Sequence, residues 1–168
     1  VFEAAYSHVA PHTHRTPLLS SRMLSERTGF NVRLKAEMFQ RTGSYKIRGP
    51  LNKFMSLSEE ERRRGVVCSS AGNHAQGVAA AAKLLGMPAV IVMPQDAPKP
   101  KRERTAALGA EVVLAIDRGE RRQLGAERIG PAPCAVDDDA AFGERDEVVA
   151  REALRLEGEP VTPERQGP

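Results

Sequence analysis

A chain of 168 residues, 40% of them hydrophobic, can bury the core of one domain of ordinary size, and this excludes global disorder. Its formal charge of +3 is too small to argue for a nucleic-acid partner, and no apolar run approaches the roughly 20 residues that span a bilayer. The charge is unevenly spread: residues 1–115 hold 17 Lys/Arg against 9 Asp/Glu, whereas residues 116–168 hold 8 Arg, no Lys and 13 Asp/Glu.

Residues 31–37, NVRLKAE, alternate apolar and polar positions and predict a strand. Residues 40–50, QRTGSYKIRGP, then place Lys46 among small and aromatic neighbours at an expected helix start. Read alone, such a lysine is a surface residue. Pro50 in a helix interior would cost about 3 kcal/mol. A helix that begins close to Pro50 removes most of that cost. EERRRG at 60–65 and KPKRER at 99–104 are basic clusters, read as solvated helix faces because no aromatic residues interleave them. VVCS at 66–69 predicts a short buried strand that stops at Ser70-Ala71-Gly72. HAQGVAAAAKLLG predicts a helix over 74–86, with Gly86 as its C-terminal stop. PAVIVMP, PKRERTAALG and AEVVLAI follow as strand, helix and strand. Strands and helices alternating at this spacing imply βαβ units, hence an α/β fold with a parallel sheet and flanking helices.

In such sheets ligands bind beyond the carboxyl ends of the strands. The segment Ser69-Ser70-Ala71-Gly72-Asn73-His74 lies at such an end and opens a helix. Its backbone N–H groups and the helix dipole favour a carboxylate or a phosphate. Taken singly, Asn73 is an ordinary helix-start residue and His74 a capping or packed histidine. Cys68 and Cys134 lie far apart, with no ligand spacing around them, and His12 and His14 lack partners, so no metal site is expected. A disulfide stays possible, but a reducing cytoplasm is the simpler setting for this cysteine usage. No signal peptide is recognised, and a start at Val1 reads as the edge of a fragment.

Two motifs make the chain recognisable. TGSYKIRG at 42–49 and SAGNHAQGVA at 70–79 resemble the threonine dehydratase and serine racemase group. These are pyridoxal phosphate (PLP) enzymes with the tryptophan-synthase-like fold, fold type II. RTPLL at 15–19, VRLKAE at 32–37 and MPQDAPKPKRERTAALGAEVVL at 93–114 are similar to the same group in the same order, so the resemblance covers residues 1 to about 115. It implies that Lys46 is the catalytic lysine and holds PLP as a Schiff base. A lysine suits this task because its uncharged amine is a nucleophile, a form that burial or nearby positive charge favours. Tyr45 stands where the family usually has Phe, and its ring would flank the cofactor. Asn73 matches the asparagine that bonds the cofactor's 3′ oxygen. Ser70, Gly72, Asn73 and His74 match the loop that holds the substrate carboxylate.

Racemases of this group tend to carry a second serine just before the glycine of that loop, as a base on the opposite face of the substrate. This chain has Ala71, and a methyl group cannot move a proton. The resemblance therefore implies β-elimination from threonine or serine, giving a 2-oxo acid and ammonia, with the cofactor phosphate as the donor to the leaving hydroxyl. Racemisation is the alternative, and a non-catalytic α/β remnant that interacts with a partner is another. A homo-oligomer is expected for a full-length member, with no nucleic-acid or membrane partner.

After Ala115 the family pattern is expected to stop. Residues 116–168 contain 6 Gly and 5 Pro, and only DEVVAREALRL at 146–156 has the pattern of an amphipathic helix. Asp137-Asp138-Asp139 reads as a solvated loop, since three adjacent acids do not converge on one point. The stretch is read as a divergent tail, disordered or shifted in reading frame. A shifted frame in a GC-rich gene would give this Arg-, Gly-, Pro- and Ala-rich composition, and translating the neighbouring frames tests the idea. The glycine-rich loop that cradles the cofactor phosphate in the family, and the Ser, Thr or Cys that bonds its ring nitrogen, are not recognised in this sequence. The resemblance thus implies a cofactor site that this stretch alone leaves incomplete.

Overall fold

The computed structural model describes residues 2–116 and, for the backbone alone, residues 135–137. Helix α1 (Phe2–Val9) leads through a 3-10 turn (Ala10–His12) to strand β1 (Leu18–Ser20). Helix α2 (Arg22–Thr28) is capped by the Ser21 side chain, which accepts from the Leu24 N–H, and is closed by Gly29 at φ 74°. Strand β2 (Arg33–Lys35) returns antiparallel to β1, with Leu19 opposite Leu34. The strand is shorter than its alternating pattern predicts, because the chain tightens at Glu37–Phe39 into another 3-10 turn.

Helix α3 (Arg48–Met55) follows a 3-10 turn over Tyr45–Ile47. Pro50 is its third residue, in the first turn, where the N–H it lacks would have no partner within the helix. The cost weighed from the sequence therefore does not arise. Helix α4 (Glu59–Arg64) is the exposed helix expected around EERRRG. Strand β3 (Val66–Ser69), helix α5 (Asn73–Leu84), strand β4 (Ala89–Pro94), helix α6 (Lys99–Ala107) and strand β5 (Glu111–Ala115) then run as the pattern predicts. Gly86 and Gly109, at φ 65° and 95°, follow the two helices in the left-handed conformation that glycine tolerates.

The main sheet has four parallel strands in the order β5-β4-β3-β6, where β6 is Ala135–Asp137. Cys68 pairs with Ile91, and Ile91 with Val112. Strands β3 and β4 are almost wholly buried, which explains their unbroken apolar runs. Val66, Cys68, Ile91 and Met93 face the main core, packed with Ile47, Leu51 and Phe54 and with the alanines of α5. Val67, Val90 and Val92 alternate to the opposite face, with Ala115.

One expectation is corrected. Asp137, expected in a solvated loop, closes strand β6 with its backbone, opposite Ser69. The strand gives β3 hydrogen-bonding partners on the side that β4 leaves open. Cys134, Asp138, Asp139, the helix expected at 146–156 and the rest of the tail lie outside the described residues.

Candidate active site

The turn that carries Lys46 is fixed on both sides by buried groups. Gly43, at φ 74°, donates its N–H to Gln40 O at 2.8 Å and reverses the chain. Thr42, buried, donates to Ser44 O, and the Ser44 hydroxyl accepts from the Lys46 N–H at 3.4 Å. Beyond Lys46, the side chains of Ile47, Leu51 and Phe54 recur at helical spacing and are 0% exposed. These anchors leave Lys46 half-buried. Its Nζ stands 5.6 Å from the centre of the half-exposed Tyr45 ring, within cation–π range.

The second part of the site is the loop from β3 to α5. Ser70 is buried, donates its N–H to Val92 O at 3.2 Å, and accepts on its hydroxyl from the Gly72 N–H at 3.2 Å. This bends the chain so that Gly72 becomes the N-cap of α5 without a side-chain cap. Asn73, the first helical residue, is exposed, whereas His74 is buried in the first turn. The first turn of α5 carries no acidic side chain. Its leading N–H groups therefore offer positive potential to an anion.

Gly77 joins the two parts. A Cβ placed there would overlap the Lys46 carbonyl oxygen and stand 2.7 Å from its carbonyl carbon and 3.0 Å from the Ile47 nitrogen. Helix α5 thus lies directly on the Lys46–Ile47 peptide. Asn73 is one turn earlier on the same helix, about 6 Å along its axis. A second brace holds the Lys46 turn from the other side. Arg48 donates Nε to Glu37 Oε2 at 2.9 Å and Nη2 to Glu37 Oε1 at 2.8 Å, a two-bond fork. Thr16 donates to the same carboxylate, and Lys35 Nζ donates to Thr16 O at 2.9 Å. Burial pushes the Glu37 carboxyl up, but hydrogen bonds from Arg48 and Thr16, with the charges of Arg48 and Lys35, outweigh it and hold the pKa below its usual value. Among the described residues no group of three or more His, Cys, Asp or Glu could hold a metal. None of the described helices is long and apolar enough to cross a membrane.

Residues 9–162 match the family described as pyridoxal-phosphate dependent enzyme. The chain belongs to this family. It is 60% identical over 101 residues to an L-threonine ammonia-lyase of Thermotoga maritima, covering 60% of this chain and 25% of that protein. It is 45% identical over 128 residues to an L-threo-3-hydroxyaspartate ammonia-lyase of Saccharomyces cerevisiae, covering 73% of this chain and 39% of that one. The solved structure of maize serine racemase superposes with a TM-score of 0.71 at 38% identity, over 80% of this chain and 41% of that chain. The chain therefore spans between a quarter and two-fifths of the length of these curated relatives.

The donor set present fits part of a PLP site. Lys46 offers an amine, Tyr45 a ring beside it, and the start of α5 offers an asparagine amide and outward N–H groups. Sequence motifs pointed to Lys46, Tyr45, Ser70, Gly72, Asn73 and His74. They missed Gly77, Glu37 and Arg48. Gly77 carries a readable signal, since a glycine inside an alanine-rich helix is costly unless another backbone approaches it. Glu37 and Arg48 lie within VRLKAE and TGSYKIRG, but their pairing is tertiary and leaves no local signal.

Proposed function

We propose that this chain supplies the lysine and the asparagine loop of a PLP-dependent ammonia-lyase that converts threonine or serine into a 2-oxo acid and ammonia. The observation that carries the reading is the seating of the Lys46 turn on α5, one turn below Asn73. The 60% identity to an L-threonine ammonia-lyase over 101 residues supports it. When bound, PLP supplies an electron sink for the charge left at the substrate's α-carbon.

Lys46 Nζ would hold the cofactor, with Tyr45 beside its ring. Asn73 would donate a side-chain N–H to the cofactor's ring oxygen. The substrate carboxylate is bound by the N–H groups at the start of α5, with Gly72 allowing close backbone approach. Ser70 and His74, both buried, shape this loop. With substrate bound, the Lys46 amine would take the proton from the α-carbon. The α-proton and the β-hydroxyl together leave as water, and hydrolysis of the enamine that remains gives the 2-oxo acid and ammonia. Ala71 carries no proton on the opposite face, which favours this outcome over racemisation. The likeness to maize serine racemase keeps racemisation as the second reading. The cysteine usage supports a reducing, cytoplasmic setting.

Borohydride reduction of the PLP-loaded full-length protein, followed by peptide mapping, tests the assignment. The label is expected on Lys46, and Lys46→Ala is expected to abolish both the label and release of 2-oxobutyrate from threonine. A label on another residue sinks the reading.

A further inference from the structure

We infer that Gly77 is the positioning residue for Lys46: by having no side chain, it sets the distance between the lysine-bearing turn and the Asn73 loop. The inference rests on the proposed role of Lys46. Its basis is steric. A methyl group at position 77 meets the carbonyl oxygen and carbon of Lys46 and the nitrogen of Ile47, all backbone atoms that cannot rotate away. Neither wall of the contact can yield cheaply. Behind Gly77, Ala75, Val78, Ala79, Ala81 and Ala82 bury the helix in the main core. Behind Lys46, Ile47, Leu51 and Phe54 lock the turn into that same core. Tight packing transmits such a displacement instead of absorbing it. The strain then falls on the exposed end of the contact, where Lys46 and Asn73 present their side chains. Gly77 has an ordinary helical conformation, so alanine is permitted by the backbone and excluded only by this neighbour.

Gly49 supplies the control. It lies in α3, three residues after Lys46, and a Cβ there would meet nothing within 4 Å. Gly77→Ala, Gly49→Ala and Val78→Ala are compared with wild type in the full-length protein. The last opens a cavity in α5 and leaves the contact intact. PLP affinity is read by titration of the cofactor's absorbance band, and Lys46 labelling by borohydride trapping. Gly77→Ala is expected to bind PLP roughly tenfold or more weakly, with a shifted band and reduced Lys46 label. Gly49→Ala and Val78→Ala are expected to keep wild-type affinity and band, even where Val78→Ala melts earlier. Wild-type affinity and band in Gly77→Ala overturn the inference, as does an equal loss in Val78→Ala. If wild type itself carries no label on Lys46, the proposed function fails first, and the two failures are told apart. If Gly77→Ala does not fold, amide hydrogen exchange of wild type decides. The Ile47 and Gly77 amides are expected to open together, with one denaturant dependence, with or without PLP. Separate opening overturns the inference.

Discussion

Glu37 shows how one partly buried carboxylate can steady the turn that carries Lys46 through an arginine beyond it. It receives the two-bond fork from Arg48, two residues beyond Lys46, and a third bond from Thr16 near β1. Its partners hold the folded-state pKa below the value of an unfolded chain. A carboxyl with a lowered folded-state pKa adds stability that is fully present above the unfolded pKa and is lost as pH falls through the folded one. Urea unfolding followed from neutral pH into the acid range should therefore show wild type losing stability faster than Glu37→Gln. At neutral pH the variant should be less stable by roughly 1 kcal/mol, a figure reduced by the solvent that reaches Arg48. Parallel acid profiles for the two proteins would remove Glu37 from this role.

At the scale of elements, legibility followed burial. Strands β3 and β4 announce themselves because both faces are covered, so nearly every residue is apolar. Helices α5 and α6 are bounded by Gly86 and Gly109, and the unit from β3 to β5 could be read in order. The Lys46 turn and the loop at 70–74 were legible as motifs, since their chemistry is local. Strand β1 and helices α1 and α2 were not legible as elements, because they are short and mostly exposed, which weakens the periodic signal. Contacts such as Gly77 on Lys46 stayed hidden because they exist only after the helices pack. Helix α4 had a signal of its own, a capping box in which Ser58 Oγ accepts from the Glu61 N–H at 3.3 Å and Glu61 Oε2 accepts from the Ser58 N–H at 2.7 Å. Its acidic first turn and basic last turn also suit the helix dipole. Ser58→Ala should cost about 1 kcal/mol in urea unfolding. An unchanged midpoint would mean that solvent caps α4 equally well.

Across the whole molecule, the two sheets differ in how they are held. The parallel sheet has apolar cores on both faces, whereas every residue of β1 and β2 is exposed. Leu18, Leu19, Leu34, Met38, Phe39 and Tyr45 are all exposed to solvent. A two-stranded antiparallel pair is marginal in water on its own. Polar links from Lys35 to Thr16 and from Gln40 to His14 join the segments that flank the two strands, and Glu37 to Arg48 ties them to α3. The chain also spans only a quarter to two-fifths of its curated relatives. Amide hydrogen exchange on the 168-residue chain should separate the sheets. The amides of Val90, Ile91 and Val92 should exchange only through global opening, while those of Leu19 and Leu34 should exchange through local opening at much lower free energy. In a longer protein that covers β1 and β2, the Leu19 and Leu34 amides should rise toward the protection of β4. Equal protection of both sheets in the 168-residue chain would mean that the polar links alone hold β1 and β2 as firmly as buried packing holds β3 and β4.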